Sequence, residues 1–248
     1  MRDRAMTIMR IDNSKRKRSA DPLALPRRPR IRRVARRLVE FHANCRRSFP
    51  WRRQPTPYSV AIAEVLLQRT RAEAVVPTHS YLLKYYPTPK QLSRAPVRLL
   101  ERALRPLGLW RKRARQLVGL GTALARHGVG ELADRENSVR FPAVGTYAAS
   151  AIACFAFGRA VGIVDANTRR IFTRVFGLPR LEPRARFYQT LADSIAKCSS
   201  SPAAANYALL DIGALYCQSI PKCHLCPLER VCDYAKRTIR IEEARKPS

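Results

Sequence analysis

The sequence predicts an all-α protein, and three features lead to that fold class. Apolar residues recur at the three- and four-residue spacing of an amphipathic helix in one segment after another. Proline and glycine separate these segments, as they do where helices start and stop. No sustained alternation of apolar and polar residues, which would indicate strands, occurs in the 248-residue sequence. A chain of this length can bury one large core or two smaller ones.

Residues 1–30 form a basic segment, with a Lys-Arg-Lys-Arg run at 15–18 and no periodic apolar pattern. This composition predicts a disordered arm that could hold DNA through its charge, with a solvated tail as the alternative. The first helix is predicted over residues 31–45, where apolar residues recur every three or four positions.

The whole chain carries a formal net charge of +30, from 48 Lys and Arg against 18 Asp and Glu. This excess favours a polyanionic partner, and nucleic acid is the first candidate. A membrane is disfavoured because the sequence has neither an apolar run of about 18 residues nor a lipidation signal. Since no secretory signal is found either, we expect a reducing, cytoplasmic location associated with the nucleoid.

The next helix is predicted over residues 58–70, after an extended entry made by Pro50, Pro55 and Pro57. This helix is apolar on nearly every side, yet it carries Glu64. A carboxylate in such a helix is rarely buried without a partner or a purpose. Glu64 is therefore either a functional group or the partner of a nearby arginine.

Helical patterns continue to a short turn at residues 142–145, which opens a tightly packed helix predicted over Thr146–Phe157. Short turns with glycine expose the N–H groups of a helix start, so this turn is a candidate phosphate site. An ordinary contact between helices is the alternative. Asp165 and Asn167 stand at the start of the following helix. A lone carboxylate beside a phosphate site suggests chemistry on a nucleic-acid backbone or its sugar.

Four of the seven cysteines lie close together, with the spacing Cys217-x5-Cys223-x2-Cys226-x5-Cys232. Four thiolates in such a loop can bind one tetrahedral zinc ion or an iron–sulfur cluster. The spacing alone leaves both possibilities open. Asp211, in the helix before this loop, is interpreted as a structural cap or ion-pair partner.

Three of these segments resemble one family, the helix-hairpin-helix DNA glycosylases. Phe-Pro-Ala-Val-Gly at 141–145 and Val-Asp-Ala-Asn at 164–167 are similar to its hairpin and catalytic element, with Ala143 in place of a glycine. Residues 51–70 resemble the Trp-Arg…Pro-Tyr…Glu-Val-Leu-Leu-Gln-x-Thr signature of its MutY and thymine-mismatch branch. The cysteine loop resembles its [4Fe–4S] loop, with one residue fewer in the first gap.

The resemblance implies a two-lobed, all-α helix-hairpin-helix glycosylase fold. A six-helix barrel lobe containing the hairpin would span residues 51–160. A cluster lobe would combine residues 31–50 with 161–248 and bind a [4Fe–4S] cluster through Cys217, Cys223, Cys226 and Cys232. The active cleft would lie between the lobes.

The resemblance also implies the roles of the site residues. Asp165 would stabilise the sugar cation or orient water, and Glu64 would protonate the departing base or orient water. Tyr147 occupies the position that is lysine in lyase-active relatives, so hydrolysis without strand cleavage is expected. The residues expected to contact DNA are Gln68, Arg69, Pro142, Val144, Gly145, Thr146, Asn167 and Lys222.

The resemblance leaves the base undecided between two members of the branch. Tyr147 and the segments 156–158 and 164–167 look like the thymine glycosylases, which favours thymine or uracil opposite guanine. Gln68 looks like MutY, which removes adenine opposite guanine or 8-oxoguanine, but the short segment after Cys232 leaves no room for the extra C-terminal domain of MutY. A non-catalytic iron–sulfur DNA-binding protein is the alternative of another class. The expected partner is double-stranded DNA containing a mismatch, bound by a monomer.

Overall fold

The computed structural model describes residues 24–45, 47–179 and 185–244, and every regular element in these ranges is a helix. The prediction of an all-α protein is therefore confirmed. Residues 1–23, which make up most of the predicted basic arm, lie outside the described residues. No helix in the described ranges combines the length and the apolar character needed to cross a membrane.

The described residues form thirteen α-helices, joined by short turns and 3₁₀ segments. The α-helices are α1 (Arg28–Asn44), α2 (Pro50–Arg53), α3 (Pro57–Leu67), α4 (Ala72–Tyr85), α5 (Pro89–Ser93), α6 (Val97–Leu104), α7 (Trp110–His127), α8 (Arg135–Ser138), α9 (Thr146–Phe157), α10 (Ala166–Phe176), α11 (Ala185–Cys198), α12 (Pro202–Leu215) and α13 (Asp233–Ala244). The 3₁₀ segments are Arg105–Leu107, Val129–Ala133, Cys223–Leu225 and Glu229–Val231.

Two predicted helices differ by three residues at one end from those in the structure. Helix α1 begins at Arg28, inside the segment predicted as an arm, because Pro29 occupies the first turn, where its missing N–H costs nothing. Helix α3 ends at Leu67 instead of residue 70, because Arg69 has a left-handed backbone with φ of 55°. Residues 68–70 therefore form a turn instead of the last turn of the helix.

The buried apolar side chains form two clusters. The first is built from residues 49–163 together with Tyr207, and α3 lies at its centre, buried continuously from Tyr58 to Leu66. Helix α3 packs against α9, whose small residues allow the two backbones to approach closely. The second cluster joins α1 to α10, α11, α12 and α13 and includes the cysteine loop.

An ion pair network connects helix α12 with the segment around α2. Asp211 is fully buried and accepts hydrogen bonds from both terminal nitrogens of Arg52, at 2.8 and 3.0 Å. Arg47 donates to the same carboxylate at 2.8 Å and to exposed Glu73 at 2.6 Å. Asp211 is thus an ion-pair partner, one of the two structural roles expected from the sequence.

Candidate active site

A cavity of about 710 Å³ opens where α2, α3 and α9 meet the start of α10 and the end of α12. Glu64, Tyr147 and Asp165 line it, and the same three residues line a smaller cavity of about 320 Å³. Gln68 and Gly145 complete the polar rim of the smaller cavity. The fold therefore brings together the two acidic residues that are distant in the sequence.

Glu64 lies in the wall of both cavities with only 6% of its surface exposed. Burial, and to a smaller extent the negative charge of Asp165, raises the pKa of its carboxyl to about 8. Among the described residues no side chain forms an ion pair or a hydrogen bond with Glu64, so the alternative of a structural arginine partner is not supported. Glu64 is a buried acid that faces a cavity.

Asp165 is the N-cap of α10 and is held in one orientation by its neighbours. One carboxylate oxygen accepts the backbone N–H of Thr168 at 2.7 Å, as N-cap residues do. The other oxygen accepts the side-chain amide of Asn167 at 3.1 Å. Asn167 in turn accepts a hydrogen bond from Arg170 at 2.7 Å. Asp165 therefore presents a fixed anionic group to the cavity, and Asn167 supports it from the large cavity's wall.

Tyr147 stands in the first turn of α9 and is half-buried between the two acids. Burial raises the pKa of its phenol well above the usual value, and the charges of Glu64 and Asp165 raise it further. The phenol therefore stays protonated and neutral at physiological pH. Within the described ranges no lysine lines either cavity, so no amine is placed at this site.

The turn before α9, residues 142–145, contains one residue with a left-handed backbone. Ala143 has φ of 65°, a left-handed conformation that glycine adopts at less cost. Gly145 has an ordinary φ of −83° and precedes the exposed start of α9. Pro142 and Thr146 are exposed and could contact a phosphate. Val144 is buried in the first cluster and its N–H bonds to Phe141, so it offers neither a side chain nor a free amide.

Three further residues were predicted to contact DNA. Gln68 and Arg69 lie in the turn at 68–70, and Lys222 lies in the cysteine loop. The side-chain amide of Gln68 donates to the carbonyl of Ala143 at 3.2 Å, which ties this turn to the turn before α9. Arg69 is exposed beside it. Lys222 is exposed in the cysteine loop and does not line either cavity.

An aromatic wall of the large cavity was not predicted from the sequence. Tyr207 of α12 stacks on Phe155 of α9 with ring centres 3.9 Å apart and planes 6° from parallel. The guanidinium of Arg52 lies 4.5 Å from the centre of the Tyr207 ring. No local pattern marks Tyr207, because its place in the wall depends on how α12 packs against α9. Both rings are buried against each other and against Arg52, so they form a rigid, packed part of the cavity wall.

The four loop cysteines lie near one another in the second cluster. Cys217 and Cys232 are buried, and Cys223 and Cys226 are partly buried. Burial, together with the nearby cysteines, raises the pKa of Cys226 to about 12. In the described part of the chain, no group of three or more His, Cys, Asp or Glu side chains is placed to hold a metal ion. A zinc ion needs its four sulfurs about 2.3 Å from one centre, whereas a cluster of four irons takes one thiolate at each iron.

Comparisons with known proteins agree on one family. Residues 62–197 match the family model described as HhH-GPD superfamily base excision DNA repair protein. The chain is 31% identical over 212 residues to the thymine-DNA glycosylase of Aeropyrum pernix, covering 83% of this chain and 95% of that protein. It is 32% identical over 203 residues to the adenine DNA glycosylase of Mycobacterium tuberculosis, covering 77% of this chain and 64% of that protein. A solved thermostable thymine-DNA glycosylase superposes with a TM-score of 0.76 at 28% identity, covering 84% of this chain and 98% of that one.

Proposed function

The chain belongs to the HhH-GPD superfamily of base excision DNA repair proteins, and within it we propose a monofunctional glycosylase that removes thymine or uracil mispaired with guanine. The helix-hairpin-helix glycosylase fold expected from the sequence is confirmed. The chain is an enzyme, a DNA glycosylase that hydrolyses N-glycosidic bonds, and the non-catalytic alternative is set aside. Its partner is DNA. We propose that it binds a mismatched duplex as a monomer in the cytoplasm, at the nucleoid.

One observation carries the proposed mechanism: two acids with different surroundings face the same cavity. Glu64 is buried, has no partner among the described side chains and has a pKa of about 8, so it is protonated near neutral pH. Asp165 accepts a hydrogen bond at each of its oxygens, as a carboxylate does. A protonated acid and an anion beside one bond are what the hydrolysis of a glycosidic bond requires.

The proposed reaction begins when the mispaired nucleotide leaves the stack and enters the large cavity. The bond between C1′ and the base nitrogen breaks as Glu64 donates its proton to the departing base. Asp165 stabilises the positive charge that develops on the sugar and orients a water molecule. The water oxygen then bonds to C1′ and its proton is released, leaving an abasic sugar in an intact strand.

The absence of strand cleavage follows from Tyr147. A lyase reaction needs an amine that forms a Schiff base with the sugar. Tyr147 supplies a neutral phenol between the two acids, and no lysine lines either cavity in the described ranges. The proposed product is therefore an abasic site.

The preference for thymine or uracil is supported by two kinds of relative. The Aeropyrum thymine-DNA glycosylase is matched over 95% of its length, and the solved thymine-DNA glycosylase over 98%. Removal of adenine is the second candidate, favoured by Gln68 and by the 32% identity to the mycobacterial adenine DNA glycosylase. The base that is released distinguishes the two candidates.

The test is base release from four duplexes that differ only in the mispair: G·T, G·U, G·A and 8-oxoguanine·A. We expect release from G·T and G·U, intact strands until alkali is added, and no efficient borohydride-trapped adduct. Adenine release with inert G·T and G·U would replace the proposed substrate by the second candidate. Efficient trapping would contradict the monofunctional mechanism.

We also propose that Cys217, Cys223, Cys226 and Cys232 hold a [4Fe–4S] cluster. The support is a donor set of four neighbouring thiols in the second cluster, together with the resemblance of this loop to the [4Fe–4S] loop of the family. The cluster would stabilise the loop that carries exposed Lys222 and Arg230, which can contact phosphates. Anaerobically purified protein is expected to be yellow-brown, to absorb visible light and to contain about four iron atoms per chain. Colourless protein with one equivalent of zinc would overturn this proposal.

A further inference from the structure

Arg113, in the first turn of α7, is a buried cation with an unusual set of partners. It is 1% exposed, and no carboxylate of the described residues pairs with it. Its guanidinium donates instead to the carbonyl of Leu107 at 2.5 Å, to the carbonyl of Gly108 at 2.6 Å and to the hydroxyl of Thr70 at 2.7 Å. It also donates to the carbonyl of Gln68. A buried charge is tolerated only when fixed dipoles replace its water, so these acceptors must stay in place around it.

The acceptors of Arg113 belong to two turns that are distant in the sequence. One turn is residues 68–70, which follow α3, and the other is residues 107–109, which precede α7. Each contains an exposed non-glycine residue with a left-handed backbone, Arg69 at φ of 55° and Leu109 at φ of 50°. A left-handed backbone is unfavourable for a residue with a side chain, so both turns need support from outside themselves. Arg113 bonds to both turns and supplies that support.

The turn at 68–70 lies at the candidate active site. Gln68 lines the small cavity together with Glu64 and Asp165, and Thr70 lines the large cavity. The side chain of Gln68 also bonds to Ala143 in the turn before α9. The rigidity of this turn therefore bears on any nucleotide that enters the cavities.

We propose that Arg113 is a positioning residue that holds the turn at 68–70 ready to enter the duplex as the mispaired base leaves it. The proposal rests on the proposed function and adds a residue that does not touch the reacting atoms. Extruding a paired base requires its pair to be broken and its stacking to be lost. A turn that is already ordered loses little further entropy when it fills the gap. The contribution of Arg113 is thus confined to bases that must be extruded.

The test compares two substrates under single-turnover conditions. One is a G·U duplex, and the other is the same duplex with uracil opposite a tetrahydrofuran abasic analogue, where no pair has to be broken. Arg113→Met is expected to slow release from G·U by about 10-fold or more and to change release from the unpaired uracil by less than about 3-fold. Equal losses on both substrates would show a general structural defect and overturn the proposal.

Two matched variants sharpen the comparison. Arg126→Met removes the same charge from an exposed position near the other end of α7 and should leave both rates unchanged. Arg113→Lys keeps the buried charge but cannot reach all four acceptors, so it should recover part of the lost rate. If Arg113→Met does not fold, Arg113→Lys carries the test and should slow release from G·U more than release of the unpaired uracil.

A second readout separates this proposal from the proposed function. A 2-aminopurine placed beside the mismatch brightens when its neighbour unstacks, whether or not any base is released. Wild-type protein at saturation is expected to raise the fluorescence, and Arg113→Met should lose most of that rise. If wild-type protein unstacks the mismatch but releases no base, the proposed function fails while the role of Arg113 stands. If Arg113→Met gives the full rise, the role of Arg113 is refuted.

Discussion

At the scale of single residues, the chemistry depends on a carboxyl group kept away from water. Glu64 sits in a helix that is buried on every side. The backbone N–H and C=O groups of this helix bond to one another, so they offer the carboxyl of Glu64 no partner. The proximity of Asp165 adds a second reason for Glu64 to remain neutral. Its usual pKa near 4.5 would leave it ionised at neutral pH, whereas a pKa of about 8 keeps it a proton donor.

The pH dependence of base release should follow the ionisation of Glu64. Because the protonated form of Glu64 is the proposed donor, kcat/KM should be retained below about pH 8 and should fall as the pH rises through that value. Glu64→Gln should lower the rate about 10²–10⁴-fold and abolish this alkaline limb. An alkaline limb that persists in the variant would assign it to another group and remove Glu64 from the role of acid.

The unfolding free energy of Glu64→Gln gives an independent check on the raised pKa of Glu64, because the direction of its change with pH follows from that pKa. The folded pKa of about 8 lies above the ordinary 4.5, so the unfolded chain ionises first as the pH rises. The folded state therefore loses stability between these two values. Glu64→Gln should show a higher free energy of unfolding than the wild type at about pH 8, and the gap should close at about pH 4, as measured by urea unfolding.

At the scale of elements, the turn before α9 contains two residues with different backbone conformations, Ala143 and Gly145. Ala143 is left-handed, where a side chain is strained, and Gly145 is in an ordinary region with open space around its α-carbon. The related hairpins have a glycine at the position of Ala143. The turn of this chain keeps the left-handed backbone that favours glycine, although the residue there is alanine. The Gln68–Ala143 bond holds this turn against the end of α3.

Replacing Ala143 by glycine should therefore stabilise the protein. The substitution relieves a left-handed alanine, and the expected gain is about 1 kcal/mol after the added flexibility of the unfolded chain is counted. Thermal or urea unfolding measures it. Gly145→Ala serves as the contrasting control: Gly145 is the N-cap of α9, where alanine is less favourable than glycine, so this variant should lose about 0.5–1 kcal/mol of stability. A loss of stability in Ala143→Gly would contradict the strain argument.

At the scale of the whole molecule, the cavity exists because two buried clusters meet along α12. This helix contributes Tyr207 to the first cluster and Leu209 and Ile212 to the second. Asp211 lies between these contacts and binds Arg52 and Arg47, which lie on either side of Phe49 in the sequence. The same Arg52 lies over the Tyr207 ring, so the ion pair and the aromatic wall are parts of one arrangement.

Breaking this ion pair should be costly. Asp211→Asn leaves the buried guanidinium of Arg52 without a counter-charge, and the expected loss is about 3–5 kcal/mol of unfolding free energy. Glu73→Gln removes only the exposed partner of Arg47 and should cost less than about 1 kcal/mol. Urea unfolding of the two variants makes the comparison. Similar small losses in both would show that the buried pair does not connect the two clusters energetically.

The sequence alone determined the features that rest on local rules. Helical spacing and its interruptions predicted the all-α class, and the resemblance of three motifs predicted the family. The burial of Glu64 followed from an apolar helix around a single carboxylate. The end of α3 was misplaced because the turn at 68–70, with its left-handed Arg69, is held by bonds to Leu107 and to Arg113 of α7, which are distant in the sequence.

Only the tertiary structure decided which groups meet. Glu64, Tyr147 and Asp165 share a cavity because α3, α9 and the start of α10 converge, and no spacing in the sequence records that convergence. The aromatic wall at Tyr207 and the buried charge of Arg113 likewise arise from contacts between segments that are distant in the sequence. Local patterns specify how each segment folds, whereas the surroundings of a side chain depend on the packing of segments that are far apart in the chain.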